Sequence, residues 1–86
     1  MRLEYSRRFK KELRRAPTDI QIAFRRRLDL FLENQFHPLL NNHCLSGELK
    51  GCHSINITGD WRAVYEKCDD DTVIFFHTIG THSQLY

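Results

Sequence analysis

The spacing of apolar positions changes twice along the chain. Leu3 and Tyr5 alternate with Arg2 and Glu4, which predicts a short first strand, and Ser6 then caps a helix carrying Phe9, Leu13 and Ala16 on one face. Pro17 ends that helix. Thr18 followed by Gln21 fits a capping box, and Ile20, Ala23, Phe24, Leu28 and Phe31 recur at helical spacing until Asn34. From His37-Pro38 to Gly51 the pattern is irregular and turn-rich, which predicts a loop holding one short turn of strand or helix.

From Cys52 the period becomes two. His53, Ile55 and Ile57 alternate with Cys52, Ser54 and Asn56, and Thr58-Gly59-Asp60 is turn chemistry. Trp61 to Glu66 and Thr72 to Thr78 read as two further strands joined through the acidic turn Asp69-Asp70-Asp71. Three strands with short loops make an antiparallel meander, and the first strand can join its edge. The expected fold class is therefore α+β, in the order β-α-α-β-β-β: a mainly antiparallel sheet of about four strands with the two N-terminal helices packed on one face. After residue 52 the chain lacks the long crossovers that an all-parallel sheet requires.

At 86 residues, 41% hydrophobic and 28% charged, the chain fits one globular domain, residues 1–86, and excludes a multi-domain enzyme with a separate cofactor domain. The longest apolar run is Val73-Ile74-Phe75-Phe76 and the N-terminus has no apolar signal region, so no membrane partner is expected and a cytoplasmic location is. Cys44, Cys52 and Cys68 are odd in number and irregularly spaced; they read as reduced thiols, with one mixed pair left open.

Charge is strongly divided. Residues 1–27 hold ten Lys and Arg against three acids, a net +7, whereas residues 28–86 hold three against eight, a net −5. Arg7, Lys10, Lys11, Arg14, Arg25, Arg26 and Arg27 lie around the apolar stripes of the two helices, which favours nucleic acid or an acidic protein as partner. The plainer alternative is a solvated helix face rich in arginine.

Candidate chemistry lies at the other end of the chain. The four glycines are too far apart for a phosphate loop, so no nucleotide cofactor is expected. His37, His43, Cys44, Cys52 and His53 invite a zinc reading, but no close Cys pair or His pair has finger-like spacing, and no metal is expected from them. In the meander, Asp60-Trp61-Arg62 opens one strand and Gly80-Thr81-His82 follows the next, so Arg62 and His82 should lie within a few residues of each other, with Asp60 on the adjoining turn. An imidazole, a fixed cation and a carboxylate at one place are what RNA cleavage by its own 2′-hydroxyl needs. The competing readings are a bystander histidine, a surface cation and a turn residue, with Trp61 as partial core rather than a stacking platform.

The segments Leu45-Ser46-Gly47-Glu48-Leu49-Lys50-Gly51, Gly59-Asp60-Trp61-Arg62-Ala63-Val64-Tyr65 and Ile79-Gly80-Thr81-His82-Ser83-Gln84-Leu85-Tyr86 resemble the RelE/ParE superfamily of bacterial toxins, and within it the YafQ branch. The resemblance implies a RelE-like, microbial-RNase-like fold and a type II toxin: a ribosome-dependent endoribonuclease that cuts translated mRNA without a metal. Its implied partners are a cognate antitoxin, the ribosome and mRNA, and operator DNA through the antitoxin complex. By the same resemblance His82 is the catalytic histidine and general acid, and His43 is a second active-site histidine. Asp60 is a candidate base or orienter, and Tyr86 is the terminal aromatic that positions substrate. Arg62 looks like the phosphate-contacting arginine of RelE proper, at a position where the YafQ branch often has an apolar residue. Asn56 stands where YafQ-like toxins can carry another histidine, which leaves the base open between His43 and Asp60. Lys50 and Trp61 are secondary substrate contacts, while His53 and His77 match no motif position. Two other readings stay open: a ParE-like inhibitor of DNA gyrase on the same fold, and a noncatalytic RNA- or protein-binding module.

Overall fold

The computed structural model describes all 86 residues. Strand β1 (Arg2–Tyr5) turns Leu3 and Tyr5 toward the core and leads into helix α1 (Arg7–Arg15). Ser6 caps that helix, its Oγ accepting from the Phe9 N–H at 2.9 Å. Helix α2 (Thr18–Glu33) follows, then strands β2 (His43–Cys44), β3 (Cys52–Thr58), β4 (Trp61–Cys68) and β5 (Val73–Thr81), and a one-turn helix α3 (His82–Leu85). No helix is long and apolar enough to cross a membrane.

The fold is α+β, and the sheet is mixed, in the order β1-β5-β4-β3-β2. It has five strands where about four were expected. The extra one is the two-residue β2, which pairs antiparallel with β3 through His43↔Ser54 and Cys44↔His53 inside the segment read as irregular. Two residues give no periodicity to detect. The same segment holds 3-10 turns at Pro38–Leu40 and Gly47–Leu49. β5 runs three residues beyond Thr78, and β1 joins its free edge in parallel, Arg2↔Val73 to Tyr5↔Phe76.

The expected capping box at Thr18 does not form, because Pro17, with φ already at −53°, takes the cap position and Thr18 is the first helical residue. The Gln21 amide instead donates to the carbonyls of Ala16 at 3.0 Å and Arg14 at 3.3 Å, tying the end of α1 to the start of α2. The acidic turn is tight, with Asp69, Asp70 and Asp71 at φ of 52°, 55° and 66°, left-handed conformations that Asp tolerates better than most residues.

Helices and sheet meet in an aromatic core centred on β5. Phe76 lies 5.5 Å from Tyr5, 5.4 Å from Phe9, 5.6 Å from Phe24, 6.3 Å from Phe31 and 5.8 Å from Tyr65, ring centre to ring centre. Ile55, Ile57, Ala63, Ile74 and Ile79 complete the sheet side of this core.

β5 is also latched to α1 by polar contacts beside a register shift. Val64 pairs with Thr78 but Tyr65 with Phe76, so His77 is left over as a bulge. Ser6 Oγ donates to the His77 carbonyl at 2.7 Å, and the Glu12 carboxylate accepts from Thr78 Oγ1 at 2.6 Å and from the Ile79 N–H at 3.2 Å. Replacing Glu12 with Ala strands two donors on β5 and is expected to lower stability by about 1–3 kcal/mol, the usual cost of an unpaired polar group. Arg8→Ala, which removes only an exposed pair to Glu12 at 3.2 Å, should cost less than about 1 kcal/mol. Equal urea midpoints for Glu12→Ala and wild type would refute the latch.

His53 stacks on Tyr65 with ring centres 5.2 Å apart. Burial first, and Lys67 second, push its pKa below the usual 6.5, with Asp71 opposing. The folded chain therefore keeps His53 neutral where the unfolded chain takes up a proton, so stability falls as pH drops below about 6.5 toward the folded pKa. His53→Gln should flatten that slope between about pH 7 and pH 5 in urea unfolding; an unchanged slope would assign it to other groups.

Candidate active site

The β4–β5 register assembles the first part of the site. Trp61 pairs with Thr81 and Arg62 with Gly80, and the His82 N–H donates to the Asp60 carbonyl at 3.0 Å. Backbones twenty-two residues apart in sequence are thus joined by one hydrogen bond at the mouth of the ladder. Asp60 sits on the turn made possible by Gly59 at φ 50°, a conformation that glycine adopts without penalty.

Helix α3, absent from the sequence-based expectation, sets the direction of the tail. Thr81 Oγ1 accepts from the Gln84 N–H at 3.4 Å, while Gln84 Oε1 accepts from the Thr81 N–H at 2.8 Å, a capping box in four residues. The turn closes tightly on Gly80, where a Cβ would lie 3.0 Å from Gln84 Oε1. Helical spacing then places His82 and Tyr86 one above the other, with ring centres 4.8 Å apart at an angle of 62°, and both are exposed. The T-shaped contact uses the ring edge of one against the face of the other.

Arg62 projects from the middle of the sheet, on the face opposite the aromatic core. It pairs in register with Asn56 on β3 and makes no ion pair. Its Nη1 is buried without a hydrogen-bond partner, and so are Asn56 Oδ1 and Ser54 Oγ, which alternate along the same face of β3. Gln35, Asn42 and His53 carry such atoms elsewhere, and Ser54, Asn56 and Arg62 are the three that share one patch on this face. Ser54 was not among the residues expected from sequence and Asn56 only as the occupant of a histidine position, although their polar alternation against Ile55 and Ile57 marks the face.

His43 lies farther out. β2 sets it beside Ser54, two strands and one two-residue step from Arg62, about 12 Å between backbones by sheet geometry. The Asn41 carbonyl lies 2.8 Å from its Nδ1. Because a carbonyl can only accept, that nitrogen carries the proton, and Nε2 of the neutral ring is left as the proton acceptor. His43 is exposed.

The remaining expectations separate. Trp61 packs against the core and lines a groove with Arg8, Glu12, Ile79 and Leu85, as partial core rather than an open platform. Lys50 precedes β3 at the end away from the Thr58–Trp61 turn and is not brought to Asp60, Arg62 or His82. On the helices Arg7, Lys10, Lys11, Arg14, Arg25 and Arg26 are exposed, whereas Arg27 is half-buried and donates to the Leu39 carbonyl at 2.9 Å. The three cysteines are free. Burial, then Glu66, then Cys68 raise the Cys52 thiol pKa, and burial and Glu66 lead in raising that of Cys68, the opposite of what a nucleophilic thiol needs.

Comparison with known proteins gives a consistent answer. The family model described as the bacterial toxin of type II toxin-antitoxin systems, YafQ, matches residues 1–86. Among solved structures, YafQ from E. coli strain BL21(DE3) is 23% identical with a TM-score of 0.81, covering 100% of this chain and 99% of that one. The YoeB/ParE toxin from Agrobacterium tumefaciens is 18% identical with a TM-score of 0.79, over 95% of this chain and 99% of that one. The E. coli DinJ-YafQ complex contains a chain 25% identical with a TM-score of 0.68, over 100% of this chain and 99% of that one. No curated protein sequence matches the chain.

Proposed function

The chain belongs to the YafQ family of bacterial toxins of type II toxin-antitoxin systems, and from that premise we propose that it is a ribosome-dependent endoribonuclease that cleaves mRNA during translation. The observation that supports this reading is that the β4–β5 ladder sets the backbones of Asp60, Arg62 and His82 side by side at one end, with an arginine that makes no ion pair among them.

The chemistry needs no metal, because the nucleophile is the substrate's own 2′-hydroxyl. A base removes its proton, the oxygen attacks the adjacent phosphorus, and an acid protonates the departing 5′-oxygen, leaving a 2′,3′-cyclic phosphate. Arg62, always charged and with a buried donor to spare, suits the phosphorane oxygens as charge accumulates there. His82 is the general acid, and Tyr86 holds its ring and offers an aromatic edge to a base. His43 and His82 stand on flanking elements with β3 and β4 between them. An in-line displacement needs base and acid on opposite sides of phosphorus, so this arrangement favours His43, through its free Nε2, as base over Asp60. The Asp60 main-chain carbonyl, accepting from the His82 N–H, then fixes where α3 begins, and its carboxylate is left as the alternative base.

The cationic helix faces, which reach the groove beside α3 through Arg8 and Arg15, suit ribosomal RNA phosphates, whose neutralisation gives salt-dependent affinity. A cognate antitoxin is the second expected partner, with operator DNA bound through their complex. The cleft between α1 and α2, lined by Tyr5, Phe9, Leu13, Phe24 and Leu28 with Lys10 and Arg25 at its rim, suits an acidic amphipathic segment.

On translating ribosomes, His82→Ala is expected to cut mRNA at least about 100-fold more slowly, with ribosome binding unchanged. His43→Ala should cost a similar factor and Asp60→Asn less; the reverse order would move the base to Asp60. Undiminished cleavage by His82→Ala would refute the site, and DNA damage without mRNA fragments in expressing cells would select the gyrase reading. Replacing Arg25 and Arg26 with Ala should slow association with the antitoxin by about tenfold at low salt and much less at high salt. An association rate indifferent to both substitutions and salt would exclude electrostatic steering.

A further inference from the structure

The sheet face that carries Arg62 holds a second cluster at its other end. Cys52 and Glu66 are directly paired across β3 and β4, and Glu66 pairs with Phe75, which places His77, two residues on, beside it on the same face. The Cys52 Sγ, a Glu66 carboxylate oxygen and a His77 ring nitrogen all lie within 4.8 Å of one another, and Nε2 of His77 is 2.9 Å from Glu66 Oε1. Phe75 meets the imidazole at 4.7 Å between ring centres, fixing its orientation. All three groups are half-buried, so an ion can reach them from solvent.

We infer that Cys52, Glu66 and His77 form a metal site for a thiophilic divalent ion, Zn2+ in the first place. Sulfur, imidazole nitrogen and carboxylate oxygen are the zinc donor set, and bond lengths of about 2.0–2.3 Å put tetrahedral donors about 3.5 Å apart. The observed separations of up to 4.8 Å would have to close by about 1 Å to reach that spacing. A thiolate, a carboxylate and a neutral imidazole cancel the ion's two charges, so the complex adds no net charge to a half-buried place. Three protein donors leave the fourth position to water. A thiolate with an imidazole discriminates against Mg2+ and Ca2+, which prefer oxygen alone. The ion would clip β3, β4 and β5 together four residues along β4 from Arg62, about 13 Å away, without touching the candidate nuclease groups.

The test uses the whole chain stripped with chelator, with Co2+ as optical probe and Zn2+ in calorimetry and competition. One ion per chain should bind in the micromolar range or tighter, with a thiolate-to-cobalt charge-transfer band and the visible bands of tetrahedral cobalt. Zn2+ should also raise the melting temperature of the wild type. Cys52→Ser should abolish the charge-transfer band, and His77→Gln and Glu66→Gln should each weaken binding by at least about tenfold. His82→Ala and Cys44→Ser should change neither band nor affinity. A band that survives Cys52→Ser or disappears with Cys44→Ser, Cys68→Ser or His82→Ala would overturn the ligand assignment. Binding no tighter than millimolar would overturn the site. None of these readouts involves RNA cleavage, so this site and the nuclease reading stand or fall separately.

Discussion

Phe76 packs against five aromatic rings at once, drawn from β1, α1, α2 and β4, more ring neighbours than any other ring has. A ring held on every side can neither slide along the strand nor rotate away from it. The position of β5 is fixed accordingly, and with it the pairing of Arg62 with Gly80 and the bond from His82 to Asp60. Ser6 and Glu12 reinforce the fit by taking up backbone groups beside the His77 bulge. The hydrophobic core thus acts on the site through register rather than through contact.

The two sides of the sheet have different tasks. One is filled with rings and branched chains and pays for folding. The other carries Ser54, Asn56 and Arg62, each with a buried polar atom that finds no protein partner. The cations of α1 and α2 are mostly exposed, and Arg8 and Arg15 border the groove that Trp61, Gln84 and Leu85 line beside α3.

Elements with many repeats of one period were legible in the sequence. The stripe from Ile20 to Phe31 gave α2, and the alternations after Cys52 gave the meander and hence the meeting of Asp60, Arg62 and His82. Features resting on a single residue's conformation or on tertiary partners were not legible. The two-residue β2 exists only because β3 offers an edge, α3 depends on how Gly80 admits Gln84, and the Thr18 box lost to the fixed torsion of Pro17. Glu12 is one acid in a basic helix, and only the bulge on β5 explains it. Cys52, Glu66 and His77 come from three strands, so no local spacing could have joined them.

The parallel pairing of β1 with β5 has a kinetic corollary. Arg2 meets Val73 across a loop of nearly the whole chain, and closing a flexible loop of that length costs about 4 kcal/mol in entropy beyond the constant part. Contacts of such range form late in folding and slow it. Until they form, Ser6 has no carbonyl on His77 to grip and the end of β5 is free to wander from β4. A half-folded copy therefore lacks the latch that ties β5 to the start of α1, and gains it only in the step that completes the sheet.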